Sequence, residues 1–178
     1  LNFIAGFALL SPVVILHLLK IIPNWRAKEI VLTWFFKDEE EVFFNSQCEK
    51  FSRTLLPPLL RPKAIETLLQ HQQSQHQVFV ISASAENWVR PWCKTMNIEC
   101  IATRLEIING KLTGKIAGKN CYGAEKVARL KSICSPEEFY ITAYGDSSGD
   151  REMLALAAHA HYKPFRDQAT ANETVSTR

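Results

Sequence analysis

The chain has 178 residues, 47% of them hydrophobic and 22% charged, which fits one globular domain of ordinary size and excludes a disordered or collagen-like chain. With 21 Lys and Arg against 18 Asp and Glu, the net charge is only +3, and no basic cluster marks a nucleic-acid footprint. The five cysteines (Cys48, Cys93, Cys100, Cys121, Cys134) are scattered and contain no C-x-x-C pair, so neither a disulfide framework nor a zinc site is indicated and a reducing cytoplasm is expected.

Residues 3–19 carry no charge, and Ser11-Pro12 falls in their middle, where a helix would break or restart. Two outcomes are open: a pair of short buried or partner-contacting helices, or a membrane-contacting hairpin on the inner face of the membrane. The run is slightly short for a bilayer span, and charged sequence follows at once, which favours the first. From Lys20 to Phe51 the spacing of Trp25, Ile30, Trp34 and Phe35 predicts helix, with Asp38-Glu39-Glu40-Glu41 as an acidic first turn. Pro62 is suited to the first turn of a helix carrying Ile65, Leu68 and Leu69 on one face. His71 and His76, five apart, miss the i, i+4 spacing of a helical metal pair and are expected in a solvated helix end and loop.

Val78-Phe79-Val80-Ile81 predicts a buried parallel strand, ending in a turn at Ser82-Ala83-Ser84-Ala85-Glu86 that leads into a helix over 87–94. Such a turn presents backbone N–H groups and the Ser82 hydroxyl at the carboxyl edge of a sheet, which suits phosphate, although a simple helix cap uses the same residue types. Runs 101–108 and 112–116 flank Asn109-Gly110 and predict a hairpin beside the main sheet. Tyr122 to Leu130 predicts a helix with Val127 and Leu130 inward. Lys126 lies in its first turns, where a cation opposes the helix dipole; it is either a surface lysine or one aimed at an anion. Finally, a strand over 140–145 ends at Gly145, Asp146 follows in a tight turn, and Asp150 precedes a helix over 151–158. Two carboxylates four apart at a strand's carboxyl end suit Mg²⁺ shared with a phosphate, while Asp150 alone equally suits a helix N-cap.

In order and spacing these segments resemble the haloacid dehalogenase-like (HAD) superfamily, in particular its phosphoserine-phosphatase-like branch, subclass IB. V-F-V-I-S-A-S resembles the second motif, L-T-G-K-I-A-G-K-N-C-Y-G-A-E-K-V-A-R-L the segment carrying the third, and Y-G-D-S-S-G-D the fourth. The resemblance covers residues 78–164. It implies an α/β, HAD-like Rossmannoid parallel sheet with flanking helices, residues 77–178, with a hairpin at about 101–116. The helical residues 1–76 would be the cap inserted between the first and second motifs. It further implies Ser82, Ala83, Ser84 and Lys126 as the phosphate-binding set, with Ser82, Lys126 and Asp150 catalytic; Lys119 is the other candidate for the motif lysine. Asp146 and Asp150 would hold Mg²⁺, Asp150 also supporting Asp146.

The implied activity is Mg²⁺-dependent hydrolysis of a phosphate monoester through an aspartyl phosphate. The substrate would be a small soluble phosphate such as phosphoserine, or a lipid phosphate like phosphatidylglycerophosphate, the latter favoured by the apolar opening and by Trp25, Trp34, Phe35 and Phe36. No D-x-D-x-T of the first motif occurs in the chain, whose first aspartate is Asp38. We therefore expect the chain to start downstream of that motif, to be inactive as it stands and to be poorly stable alone. The alternative is a non-catalytic phosphate-binding or scaffolding relative that has lost the nucleophile. A phosphoacceptor receiver module is disfavoured because its acidic residues should come early in the chain.

Overall fold

The computed structural model describes residues 2–166. Its first half is helical: α1 (Asn2–Leu18), α2 (Asn24–Phe36), α3 (Glu41–Thr54) and α4 (Pro62–Gln73). An α/β half follows, with β1 (Phe79–Ala85), α5 (Glu86–Thr95), β2 (Glu99–Thr103), β3 (Leu105–Ile108), β4 (Lys111–Ile116), α6 (Ala124–Lys131), β5 (Thr142–Gly145), α7 (Arg151–Leu156) and β6 (His159–Tyr162).

Helix α1 departs from expectation twice. It runs unbroken through Pro12, and among its described side chains Leu10 is buried while Leu9, Val14, Ile15 and Leu18 are exposed, Leu18 at 72%, which departs from a buried helix pair and leaves the partner-contacting one open. Proline removes one helical hydrogen bond but does not forbid the turns on either side of it. The contact that fixes α1 is local. Gly6 lies so close to α2 that a Cβ there would stand 2.6 Å from the Trp34 indole nitrogen. Among the described residues no helix is long and apolar enough to cross a membrane.

The acidic run also differs from the predicted helical turn. Asp38 takes a left-handed φ of 68°, and the segment pairs with the hairpin instead: Asp38 N–H donates to Leu112 O (2.8 Å), Leu112 N–H to Glu39 O (2.9 Å) and Glu41 N–H to Gly110 O (2.9 Å). Only at Glu41 does α3 begin. The hairpin turn itself is as predicted, with φ of 52° at Asn109 and 75° at Gly110. Its first strand is shorter than the 101–108 run, because residues 99–103 pair in parallel with β1 and only β3 turns back onto β4.

The parallel strands form two separate pairs, β1 with β2 and β5 with β6, and no hydrogen-bonded ladder joins β1 to β5. Near that free edge the Ile81 carbonyl accepts from the Lys126 ammonium (2.8 Å). The main core joins the two halves: Leu32, Phe44 and Cys48 from the helices meet Ala85, Leu105 and Leu112, with Phe36 and Trp88 packed around them. The Phe36 ring meets Phe44 edge-on at 5.0 Å.

His76 is exposed in the loop after α4, as expected, while His71 is half-buried. Its Nε2 lies 2.9 Å from the Tyr144 hydroxyl on β5, and its Nδ1 2.8 Å from His76 Nδ1, so the end of α4 docks on the strand that leads to Asp146.

Candidate active site

The carboxyl ends of β1 and β5 open into a cavity of about 650 Å³ lined by Ser82, Ala83, Ser84, Lys126, Asp146 and Asp150, together with Lys28, Arg61 and Trp88. Every site residue expected from the sequence therefore converges there, with Lys119 as the exception. Lys119 is exposed, and its carbonyl accepts from Arg129 (2.6 Å); of the two candidate lysines, Lys126 lines the cavity.

Lys126 is drawn inward by α6, whose start is set by Gly123 at φ 61°, and its side chain is only 8% exposed. Its ammonium donates to Asp150 Oδ1 at 2.5 Å. The other oxygen of Asp150 accepts from the Ser147 hydroxyl (2.7 Å) and from the backbone N–H of Ser147 (2.9 Å) and of Asp146 (3.1 Å). Asp150 thus does not cap α7 with its side chain; it folds back and fixes the loop that carries Asp146. Burial pushes its carboxyl up, but the Lys126 and Ser147 hydrogen bonds outweigh this and hold it below the usual carboxylate range. The approach is close: a Cβ on Gly145 would stand 2.6 Å from Asp150 Cβ.

Asp146, by contrast, is half-exposed, and among the described residues its Oδ2 meets the guanidinium groups of Arg166 at 3.4 Å and Arg61 at 3.8 Å. Ser82 sits in β1, which continues to Ala85 through a register shift in place of the predicted turn. Its hydroxyl accepts the Ser84 N–H (3.0 Å), and α5 follows Ala85, its N-cap residue, without a side-chain cap, so Ser82 is not a helix cap.

Three residues were not foreseen. Lys28 reaches the cavity from α2 and donates to Ala83 O (2.5 Å) and Asn120 Oδ1 (2.6 Å). Arg61, before α4, lies beside Asp146 and donates to Phe165 O (3.1 Å). Asn120 donates to Asn24 Oδ1 (3.1 Å), and its own carbonyl oxygen is shared with the buried Thr103 hydroxyl (3.0 Å). In sequence, the sole available signal was the i, i+4 spacing of Asn24 and Lys28, which puts both on one helix face.

The site thus places a buried lysine–aspartate pair and a half-exposed carboxylate at the strand ends of an α/β scaffold, and comparison with known proteins gives the class of protein. Residues 6–155 match the family model of haloacid dehalogenase-like hydrolases, and the chain belongs to that family. It is 31% identical over 143 residues to Protein CicA of Caulobacter vibrioides, covering 79% of this chain and 64% of CicA. It is also 31% identical over 110 residues to a probable phosphatase of Mycobacterium tuberculosis, covering 60% of this chain and 38% of that protein. Among solved structures, a Bordetella pertussis protein of unknown function superimposes with a TM-score of 0.71 at 19% identity, over 82% of this chain and 68% of that one. A probable phosphoserine phosphatase from Vibrio cholerae does so with a TM-score of 0.64 at 20% identity, over 83% and 45%. These likenesses establish the α/β Rossmannoid fold.

Proposed function

We propose that the protein is a Mg²⁺-dependent phosphomonoester hydrolase that works through an aspartyl phosphate, with residues 1–76 as a helical cap over the α/β half. The observation that carries this is the convergence of Ser82, Lys126 and Asp146 on one cavity at the strand ends. In the mechanism, the Ser82 hydroxyl and neighbouring backbone N–H groups hold one phosphoryl oxygen and Lys126 stabilises charge on another. Asp150 keeps Lys126 aimed.

The donor set fits a magnesium ion in a limited way. Asp146 has a carboxylate that no backbone amide occupies, whereas both Asp150 oxygens are engaged. Among the described residues no cluster of three acidic, His or Cys side chains could make an all-protein cage. Mg²⁺ binds characteristically through one or two carboxylates plus substrate oxygens and water, and Asp146 would hold it in that manner. Once bound, the ion would neutralise charge on the phosphoryl oxygens.

The nucleophile in this proposal is an aspartate on a strand seated between β1 and β5, which do not pair with each other. Its carboxylate oxygen forms a bond to phosphorus as the ester P–O bond breaks and the leaving oxygen takes a proton; water then cleaves the acyl phosphate. The test is phosphate release by the chain preceded by a strand ending in D-x-D-x-T, assayed on a soluble monoester and on phosphatidylglycerophosphate in detergent. Mg²⁺-dependent release is expected, falling by about 10²–10³-fold in Asp146→Asn. No release from either substrate would leave the non-catalytic alternative. Turnover by the 178-residue chain itself, sensitive to Asp146, would show that the nucleophile lies elsewhere.

A further inference from the structure

Lys28 is one of the cations lining the cavity for which the proposed chemistry has no use, and it differs from Arg61 and Arg166, which both meet the Asp146 carboxylate. Its ammonium sits on two neutral acceptors, Ala83 O and Asn120 Oδ1, and among the described residues it forms no ion pair with a carboxylate. A lysine has three donors, so one remains unassigned. Long charged side chains are seldom drawn inward without a counter-charge, because the lost hydration is not replaced. If the role were only to satisfy Ala83 O and Asn120, a neutral donor would do so without that cost.

The position is also built rather than incidental. Asn24, one turn before Lys28 on α2, accepts from Asn120; Thr103, 0% exposed, bonds Ala83 O (2.8 Å) as well as Asn120. The Ala83 carbonyl and Asn120 therefore hold the ammonium at the Ser82-Ala83-Ser84 edge, and Asn24 and Thr103 in turn hold Asn120. Lys126, two residues earlier along the same strand at Ile81 O, is already neutralised by Asp150.

We propose that Lys28 is the residue through which the helical half binds the phosphate group of the substrate, supplying an uncompensated cation to an oxyanion at the Ser82–Ser84 edge. This rests on the phosphate-site assignment above and extends it to a residue outside the three matching motifs. It also couples the two halves: an anion at that edge is gripped by β1 from one side and by α2 from the other, so occupancy of the site holds α2 down. Burial lowers the Lys28 pKa to about 8, which leaves it largely protonated at neutral pH.

The experiment is calorimetric titration of the 178-residue chain with inorganic phosphate at fixed ionic strength, for the parent and for Lys28→Gln and Lys28→Arg. Gln keeps two N–H donors but no charge; Arg keeps the charge. We expect Kd to rise at least about tenfold in Lys28→Gln and to stay within about threefold of the parent in Lys28→Arg, since charge-assisted bonds are roughly twice as strong as neutral ones. A second measurement needs no variant: acylation of the parent's lysines, followed by mass spectrometry, should slow at Lys28 when phosphate replaces chloride and stay constant at Lys63 and Lys119. Unchanged affinity in Lys28→Gln, or unprotected Lys28 despite measured phosphate binding, overturns the role of Lys28 and leaves the Ser82–Lys126 site standing. Absence of phosphate binding by the parent overturns both.

Discussion

Replacing Lys126 with methionine should lower the unfolding free energy by about 3–5 kcal/mol, because it removes one member of a buried ion pair and leaves the other charged. Both side chains are 8% exposed, and Asp150 Oδ1 has the Lys126 ammonium as its hydrogen-bond partner. The Ile81 carbonyl loses its donor in the same step. Urea titration at neutral pH measures the loss directly. The double variant Lys126→Met, Asp150→Asn should recover a large part of it, since the asparagine has nearly the same shape and no charge to strand.

Acid denaturation supplies an independent check. Asp150 has a folded-state pKa below its unfolded value, so its contribution is complete above the unfolded value near ~3.9 and is lost as pH falls through the folded one. With Lys126 gone the depression weakens, and the acid midpoint should move to higher pH. A single variant as stable as the parent, with an unmoved acid midpoint, would mean that water already solvates the pair.

Gly114→Ala should cost about 2–5 kcal/mol, a large loss for one added methyl group. Gly114 has φ of 80°, where a side chain is strained, and its missing Cβ would stand 2.3 Å from Thr33 Cα and 2.7 Å from Thr33 N. Left-handed backbone accounts for about 1–2 kcal/mol and overpacking against rigid backbone for about 1–3. Helix α2 is pinned to β4 at this point, and Glu29 adds to the junction by accepting the Ile116 N–H at 2.9 Å. Because Lys28 lies on the same helix, a forced retreat of α2 should also weaken phosphate binding. Denaturant midpoints test the first effect and the phosphate titration tests the second. A loss under about 0.5 kcal/mol would show that α2 and β4 separate without strain.

Much of the α/β half was legible because its signals are local. Asn109-Gly110 forces positive φ at both turn positions wherever the hairpin sits, and Val78 to Ile81 is strongly β-branched. The helical half was legible as helix but not in its details. Pro12 suggested a break that packing did not require, and Asp38 to Glu41 looked like a helical turn. Its backbone instead found partners on β4, whose proximity depends on chain closure some seventy residues later. Beyond the Asn24–Lys28 spacing, Lys28 and Arg61 carried no signal in the sequence, since nothing in their own neighbourhoods reveals that Ala83, Asn120 and Asp146 lie against them.

The sequence by itself determined the family and pointed to Ser82, Lys126, Asp146 and Asp150 as candidates that line one cavity, because each sits at a fixed offset from a strand end or helix start, and such offsets survive in one dimension. Only the tertiary structure decided what those residues do to one another. It gave the Asp150 side chain to the turn at Ser147 and to Lys126 in place of α7, left Asp146 lining the cavity, kept Lys119 out of it, and brought Lys28 to Ala83 across fifty-five positions of chain. The physical reason is that ion pairing and desolvation depend on distances through space and on what surrounds a group, and neither is written in the spacing of residues along the chain.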